Sequence, residues 1–446
     1  MSDILPVSSS ARSSTASSLT DKQWPDDAWW QTLNDPTLNE IVLRVRRGNL
    51  TVAQARERLV AASALARSAA SAYRPGLSLS GAATASTSKV EAQDISRRPA
   101  QINLETGWEI SLFGQDGMTR QSADMDAAMA AADLDAASLS VIAEAAKSYV
   151  RLRALQQERR DAELRISVQA KASKIANTLS QSGLGTKLAA QLSTDDVLAA
   201  TEQKRLLDNA IADEIQSIAI LQGSREGDVA LSAIGPQPSL GRDLAMEVPA
   251  DLLRRRADVR RAEFAVLKAA AEVGIAKADL YPKLHLSGMI GFGSPVSGSL
   301  FGLMGGPSLQ LPIFDQGKRR DIVEARAAQL REATSAYRQA VLVAYGEAST
   351  ALRALHAARQ STARARSDFA TASKAQAAAE LMSREGLADA AKVLDRQLIT
   401  VERRKQITEA VAREAEAFIA FVKATGGGSG KSKGPRLSPP EQKRGI

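Results

Sequence analysis

The chain has 446 residues, of which 44% are hydrophobic, 24% are charged and only 4% are aromatic, and its formal net charge is +8. It contains no cysteine, which excludes a disulfide framework, thiol catalysis and a cysteine-ligated metal site. Lys and Arg are interleaved with Asp and Glu without an aromatic-basic module, so the charge does not indicate nucleic-acid binding.

The two ends of the chain differ from its middle. Residues 1–27 are polar and rich in Ser, and we expect a flexible lead that lacks the apolar stretch of a secretory signal. Residues 427–446 are rich in Gly, Pro and Lys and predict a disordered basic tail. No apolar run approaches the ~18 to 20 residues of a transmembrane helix.

The first half of the chain begins with two short helices. Asp35 followed by Pro36 is typical of a helix start, and Thr51 with Gln54 has the spacing of a capping box. The second helix stops before Pro75.

A helical hairpin is predicted over 118–223. Residues 118–182 contain no Gly and no Pro, and at about 1.5 Å per residue a helix of ~65 residues spans roughly 100 Å. We expect this helix to turn at Gly183 and a second helix to return to Gly223.

The second half repeats this plan, so we divide the chain into a first repeat, 28–240, and a second repeat, 241–426. Pro249 opens a predicted helix over 249–280, and the second helical hairpin, 318–426, turns at Gly386.

Each repeat also carries two segments with alternating apolar and polar residues, the signature of strands. In one segment Leu284 and Leu286 fall on one face, and Lys283 and His285 fall on the other. The strands are predicted at about 76–89, 101–113, 283–296 and 306–314.

These strands have two interpretations. One is an ordinary sheet with one buried face. The other is a transmembrane β-barrel, which has an apolar lipid face and a polar lumen. The helices leave the strands at once and offer no apolar layer, which favours the barrel. Four strands cannot close one, so several copies must contribute: two give eight strands and three give twelve, and a wide helical tube favours more than eight.

Both repeats pass from strand to long helix through a brief turn. "WEISLFGQDGMTRQSADM" (108–125) and "SLQLPIFDQGKRRDIVEA" (308–325) share a Phe followed by an Asp/Gly turn. We predict that Phe113 in the first repeat, and Phe314, Asp315 and Gly317 in the second, mark the junction of the barrel with the helices.

Four segments resemble the outer-membrane efflux protein family of the TolC/OprM type, and within it the NodT-like branch. They are "WWQTLNDPTLNEIV" (29–42), "VPADLLRRRADVRRAEFAVLKAAAEVGIAKADLYPKLHLSG" (248–288), "GPSLQLPIFDQGKRR" (306–320) and "GLADAAKVLDRQ" (386–397). The similarity covers about residues 28–428, and the segment 248–288 is its most specific part.

The resemblance implies an α+β membrane protein: a homotrimer with a twelve-stranded outer-membrane barrel, four strands per chain, continued by a long α-helical barrel in the periplasm. It implies the exit duct of a tripartite pump for drugs or other small toxic compounds. The partners would be a periplasmic adaptor and an inner-membrane transporter of the resistance-nodulation-division class. No enzyme activity and no cofactor are expected.

Two features depart from the family pattern. Most NodT-like relatives carry a signal peptide and a lipidated Cys before the Trp-Trp segment, and this chain shows neither. Where relatives have Arg-Pro-Asp, this chain has Arg256-Ala257-Asp258, which predicts a changed helix start.

Nothing in the sequence forms a catalytic constellation. His285 and His356 are the only histidines, and neither has a partner at metal or acid-base spacing. "GLGTKL" lacks the Gly-Lys-Ser/Thr order of a phosphate loop. The arginines at 254–256 and 260–261 suggest either an anion site or a salt-bridged helix start, and we favour the helix start.

The resemblance also indicates a periplasmic gate near the tip of the second hairpin. Asp395 matches the acidic position of the family, and Ala391 falls where relatives usually have Leu. The corresponding first-repeat position is Ala189, which carries no charge. Three Asp395 carboxylates would converge on the axis and raise one another's pKa. The alternative is that Asp395 is a solvated residue paired with Arg396 or Arg403.

Two other functions stay open from the sequence. A type I protein-secretion duct uses the same architecture, and a soluble coiled-coil scaffold would need no membrane at all.

Overall fold

The structure, a computed structural model, describes residues 28–83, 86–90, 93–97, 100–226, 229–241, 254–293 and 301–427. The predicted lead, Pro249 and almost all of the predicted tail lie outside these residues. Within the described ranges, no helix combines the length and the apolar character needed to cross a membrane.

Seven α-helices account for most of the described chain. They are α1 (Pro36–Gly48), α2 (Leu50–Ser71), α3 (Gln115–Gln181), α4 (Lys187–Leu221), α5 (Ala257–Ala278), α6 (Lys318–Arg384) and α7 (Ala390–Ala424). Helices α3 and α4 form one antiparallel hairpin and α6 and α7 form another, while α5 packs against both α3 and α6.

The two hairpins match residue for residue. Helices α3 and α6 each have 67 residues, and α4 and α7 each have 35. Every boundary of the second hairpin follows its first-hairpin counterpart by 203 positions in the sequence. Such equality supports the duplication that the glycine punctuation indicates.

Local capping explains where α1 and α2 begin. Asp35 caps α1, and its Oδ1 accepts hydrogen bonds from the backbone N–H groups of Thr37 and Leu38. The cap of α2 is Asn49 and not the expected Thr51. The Asn49 side chain accepts from Val52 N at 3.1 Å and also donates to Leu221 O, a tertiary contact that a local spacing rule does not include.

The strands form two sheets. A four-stranded antiparallel sheet has the order β1-β4-β5-β6, and β2 and β3 form a separate ribbon. The strands are β1 (Gly76–Ala83), β2 (Ser86–Val90), β3 (Gln93–Arg97), β4 (Ala100–Ile110), β5 (Lys283–Gly293) and β6 (Phe301–Gln310).

Several bounds differ from the expected ones. Strand β6 lies at Phe301–Gln310 instead of 306–314, because its first half is rich in glycine and carries few side chains that alternate. The first predicted strand, 76–89, is divided between β1 and β2, and the strand predicted at 101–113 ends at Ile110. Helix α5 begins at Ala257, with residues 254–255 in a turn.

The register confirms the two faces that the alternation indicated. Trp108 lies opposite Leu286, and Leu284 lies opposite Leu309, so the apolar residues of neighbouring strands share one face. Glu109 lies opposite His285 on the other face, together with Ser308. Leu77, Leu79, Leu303 and Leu309 of the apolar face are each 65–73% exposed in the single subunit. No described helix covers that face.

A dry core lies where α1, α3 and α7 meet, and we call it the central core. Its largest fully buried side chains include Trp29, Tyr149, Phe418 and Phe421. Trp29 packs edge-on against Phe418, with ring centroids 6.3 Å apart.

Candidate functional site

Both strand-to-helix turns lie close to Asp279, the residue that follows α5. In the first repeat, the Phe113 ring stacks on Tyr281 with centroids 4.5 Å apart. Gln115 donates a hydrogen bond to Asp279 Oδ1 at 3.0 Å, and Lys283 forms an ion pair with the same oxygen at 2.8 Å. The end of α5 therefore fastens the start of α3 and the start of β5 together.

The second turn is organised by Asp315. Its carboxylate accepts hydrogen bonds from the backbone N–H groups of Gly317 at 3.2 Å and Arg319 at 3.3 Å. Gly317 has φ +86°, in the left-handed region that glycine adopts without strain, and α6 begins at the next residue, Lys318. A cleft of ≈360 Å³ lies between Asp279 and Asp315 and joins the two turns.

Large apolar side chains surround this junction. Ile313 is 89% exposed and Phe314 is 84% exposed, and Phe113 is 44% exposed. Exposed aromatic side chains at the end of an apolar sheet face are typical of a membrane interface.

At the opposite end, each hairpin turns at the predicted glycine. Gly183 and Gly386 have φ of +76° and +74°. Leu184 N donates to Leu179 O at 2.9 Å, and Leu387 N donates to Met382 O at 2.8 Å, which closes both helices with the same glycine-dependent motif.

The predicted gate residues lie close to the second of these tips. Ala391 and Asp395 are both exposed on α7 in the single subunit. Within the described residues Asp395 forms no hydrogen bond or ion pair, while Arg403 donates instead to Gln406 at 2.8 Å. The structure thus shows no pairing of Asp395 with Arg396 or Arg403.

The first-repeat counterpart is different from the one expected. Because the hairpins are offset by 203 positions, Ala391 corresponds to Leu188 and Asp395 corresponds to Leu192, and Ala189 corresponds to neither. Leu188 and Leu192 are 66% and 56% exposed. The first tip therefore carries apolar side chains where the second carries Ala and Asp.

A polar cluster fastens the two helices of the second hairpin just above its tip. Gln376 and Gln397 both donate to Glu380 Oε1, at 2.9 and 3.1 Å, and these hydrogen bonds hold the pKa of Glu380 below its usual value.

The central core contains a hydrogen-bond network that the sequence analysis did not detect. Tyr149 Oη donates to Asp35 Oδ2 at 2.8 Å and accepts from Arg153 Nε at 2.9 Å. Burial raises the pKa of Tyr149 to about 12. Arg153 also donates to Gln156 and to Ala233 O, both at 2.7 Å, so the segment after α4 is tied to α3. The signal for this network is distributed over distant positions, and no local pattern contains it.

Within the arginine cluster, Arg256 has a structural role. It is only 7% exposed, and it donates to Ala424 O at 2.6 Å at the end of α7. It forms ion pairs at 2.7 Å with Asp258 and Glu347. Arg256 is therefore part of a salt-bridged helix start, which we favoured over an anion site. Its contacts also join three helices, α5, α6 and α7.

Neither histidine lies in a catalytic arrangement. His285 is a strand residue next to Glu109 and Ser308, and His356 is exposed on α6. Among the residues that the structure describes, no group of three or more His, Cys, Asp or Glu side chains is placed to hold a metal ion.

A sheet with one apolar exposed face, joined at one end to two matched hairpins of long helices, defines the class of outer-membrane channel proteins. The model of the outer membrane efflux protein family matches residues 43–224 and 248–427, and the chain belongs to this family. Its members are transport ducts and not enzymes.

Individual relatives agree with this assignment. The chain is 30% identical to nodulation protein T of Rhizobium leguminosarum bv. viciae over 340 residues, which cover 74% of this chain and 69% of that protein. It is 26% identical to the pyoverdine export outer membrane protein OpmQ of Pseudomonas putida, over 91% of this chain and 88% of that protein.

A solved structure, that of the outer-membrane channel OprN, superimposes with a TM-score of 0.81 at 27% sequence identity. The superposition covers 96% of this chain and 98% of that one.

Proposed function

We propose that the chain is the outer-membrane duct of a tripartite efflux system and that it acts as a homotrimer. A periplasmic adaptor and an inner-membrane transporter of the resistance-nodulation-division class deliver drugs or other small toxic compounds to it. The duct itself is passive.

The observation that carries this proposal is an open sheet with an uncovered apolar face. Strands β1 and β6 are its outer strands, and each has one edge that no other described strand pairs with. Unpaired backbone groups in lipid cost several kcal/mol each, so an open edge is not tolerated there. Pairing of β6 of one subunit with β1 of the next removes every edge. Three copies give a barrel of twelve strands. Such a barrel is wider than one of eight strands, whose interior is filled by side chains.

This arrangement places the apolar face toward lipid and the face with Glu105, Glu109 and His285 toward the lumen. The exposed side chains of Phe113 and Phe314 then lie at the periplasmic edge of the membrane. Helices α3, α4, α6 and α7 extend from there into the periplasm as a helical barrel.

Reconstitution into planar lipid bilayers tests the duct directly. Purified protein should produce discrete ion-conducting events, and a chain that binds to lipid without conducting would refute the proposal. Loss of resistance to small toxic compounds in a deletion strain, with protein secretion unchanged, would separate efflux from a type I secretion duct.

We place the closed gate at the periplasmic tips. In a trimer three exposed Asp395 side chains converge on the axis, where like charges at short distance repel one another and attract cations. Leu188 and Leu192 occupy the equivalent positions of the first hairpin, so we assign the apolar part of the constriction to them and not to Ala391.

The gate has a direct test. Asp395→Ala should raise the single-channel conductance of the closed form by at least twofold, because it removes charge and volume from the narrowest point. Asp196→Ala, at an exposed Asp about one helical turn farther from the first tip than Asp395 is from the second, is the control and should leave conductance unchanged. Equal conductance of the wild type and Asp395→Ala would remove Asp395 from the gate.

A further inference from the structure

The two hairpins of one subunit meet along α3 and α7, and we call this contact the α3–α7 seam. Three ion pairs cross it: Arg151–Glu416 at 2.8 Å, Asp161–Arg404 at 3.6 Å and Arg165–Glu402 at 3.9 Å. The two outer pairs are formed by partly exposed side chains. The middle pair is different because Asp161 is buried.

Asp161 is only 3% exposed, and neither carboxylate oxygen has a hydrogen-bond partner in the described part of the chain. Its burial is complete within one subunit, so it does not depend on the neighbours in a trimer. A small cavity of ≈50 Å³ lies beside it. The guanidinium of Arg404 reaches it only at 3.6 Å and is itself 40% exposed.

Charged side chains surround Asp161 on its own helix and on α7. On α3 they are Glu158, Arg160 and Arg165, and on α7 they are Arg404, Lys405 and Glu402. Helix α4 presents the uncharged Gln203 and Leu207. The nearby cations outnumber the anions and lower the pKa of Asp161, but desolvation of the buried carboxylate raises it by more.

We propose that Asp161 is a proton-controlled element of the α3–α7 seam: the seam is most stable when Asp161 is protonated, and the ionised form favours separation of the two hairpins. A buried carboxylate without hydrogen bonds is costly, and a neutral carboxylic acid at the same place is not. The proposal concerns regulation of the duct and rests on the proposed function for its biological role.

The direction of the pH dependence follows from linkage. Burial raises the pKa of Asp161 from 3.8 to about 6. When the seam separates and Asp161 meets water, the ordinary pKa returns. The packed seam therefore binds the proton more tightly than the separated one, and its stabilisation is full below about pH 4 and is lost as the pH rises through about 6. Between pH 5.0 and 7.5 the ratio of separated to packed seams should rise about tenfold per subunit.

The absence of cysteine makes a distance measurement straightforward. Double electron–electron resonance between two spin labels measures the separation of the hairpins. The labels are attached at Gln181→Cys and Glu385→Cys, one at each exposed tip. Labelled chains are diluted with unlabelled ones so that each trimer holds one pair. An Asp395→Asn background removes the tip carboxylates from the titration.

Two variants with opposite expected effects separate this idea from an ordinary stabilising ion pair. Asp161→Asn should abolish most of the tenfold change, and the small remainder is assigned to Glu158, whose pKa is also raised by burial. It should keep the seam packed at pH 7.5. Arg404→Gln removes the nearest cation and should increase separation at pH 7.5.

Asp133→Asn is the matched control on the same helix, because Asp133 pairs with Arg261 at 3.0 Å while both side chains are more than half exposed. It should retain the full pH response. If Asp161→Asn instead separates the hairpins at pH 7.5, or keeps the wild-type pH response, the proposal is wrong. The distances are measured in detergent and do not require conduction, so failure of the duct in bilayers would be a separate result.

Discussion

The central core and the α3–α7 seam lie on the same helices and are built in different ways. The core buries bulky side chains such as Trp29, Tyr149 and Phe418, and its polar groups are joined in a connected network. The seam has three ion pairs, at 2.8, 3.6 and 3.9 Å, and a buried carboxylate without hydrogen bonds. Dense packing with satisfied hydrogen bonds resists separation, and loosely paired charges do not. The difference indicates that the central core is rigid and that the two hairpins can separate more easily along the α3–α7 seam, toward their tips.

The largest expected effect is in the core. Phe418→Ala removes a fully buried ring and should lower the free energy of unfolding by about 3–5 kcal/mol. Leu394→Ala, at a 9% exposed position on the same helix near the tip, should cost about 2 kcal/mol. Denaturant unfolding measures the free energy of unfolding of both variants. Equal losses would show that the central core and the hairpin tips are equally well packed.

Loss of Arg256 should have the next largest effect. Arg256→Ala leaves Asp258, Glu347 and the carbonyl of Ala424 without their shared partner, and since both carboxylates are half exposed it should destabilise the protein by about 1.5–3 kcal/mol. Arg261→Ala breaks an exposed pair and should cost less than about 1 kcal/mol. Thermal unfolding compares the two, and a mild effect at Arg256 would contradict its joining role.

The core should also respond to alkaline pH. The pKa of Tyr149, raised to about 12, lies above the ordinary value of 10, so the buried neutral phenol stabilises the fold below pH 10. This contribution, about 2–3 kcal/mol, is lost as the pH rises from 10 through 12. Tyr149→Phe should not show this fall in stability between pH 10 and 12, and its free energy of unfolding at pH 7 should be moderately lower than that of the wild type. Unfolding experiments at neutral and at alkaline pH measure both effects. A wild-type step that persists in the variant would assign it to another group.

The smallest effect is expected at the exposed end of the seam. Glu416→Gln breaks the Arg151 ion pair, whose side chains are 49% and 29% exposed, and should change the unfolding free energy by less than about 1 kcal/mol. The residual effect should vanish in high salt. A loss of several kcal/mol, independent of salt, would show that the seam is as firmly held as the core.

Much of this architecture is visible in the sequence, because its signals are local and periodic. The Gly-free and Pro-free run at 118–182 predicts α3, and the matching run at 318–385, with the single Gly346, predicts α6. The glycines predict both tips, and the alternation predicts which strand residues share a face. Strand β6 was misplaced because glycine carries no side chain to alternate.

Contacts between distant segments could not be predicted in this way. Asn49 caps α2 while it donates to Leu221, 172 positions away, and the Tyr149 hydroxyl meets Asp35 across 114 positions. The first-repeat gate position is a different case, because Gly183 and Gly386 are already 203 positions apart in the sequence. The helix bounds have the same offset, which places Leu192 opposite Asp395, so the expectation of Ala189 was wrong.

The central claim is that identical subunits pool their strands into one closed sheet, and the mass of the protein in mild detergent tests it most directly. Native mass spectrometry should find three chains in one particle that dissociates only on heating. A stable single chain, with β1 and β6 still unpaired and the leucine-rich face covered only by detergent, would contradict the trimeric duct.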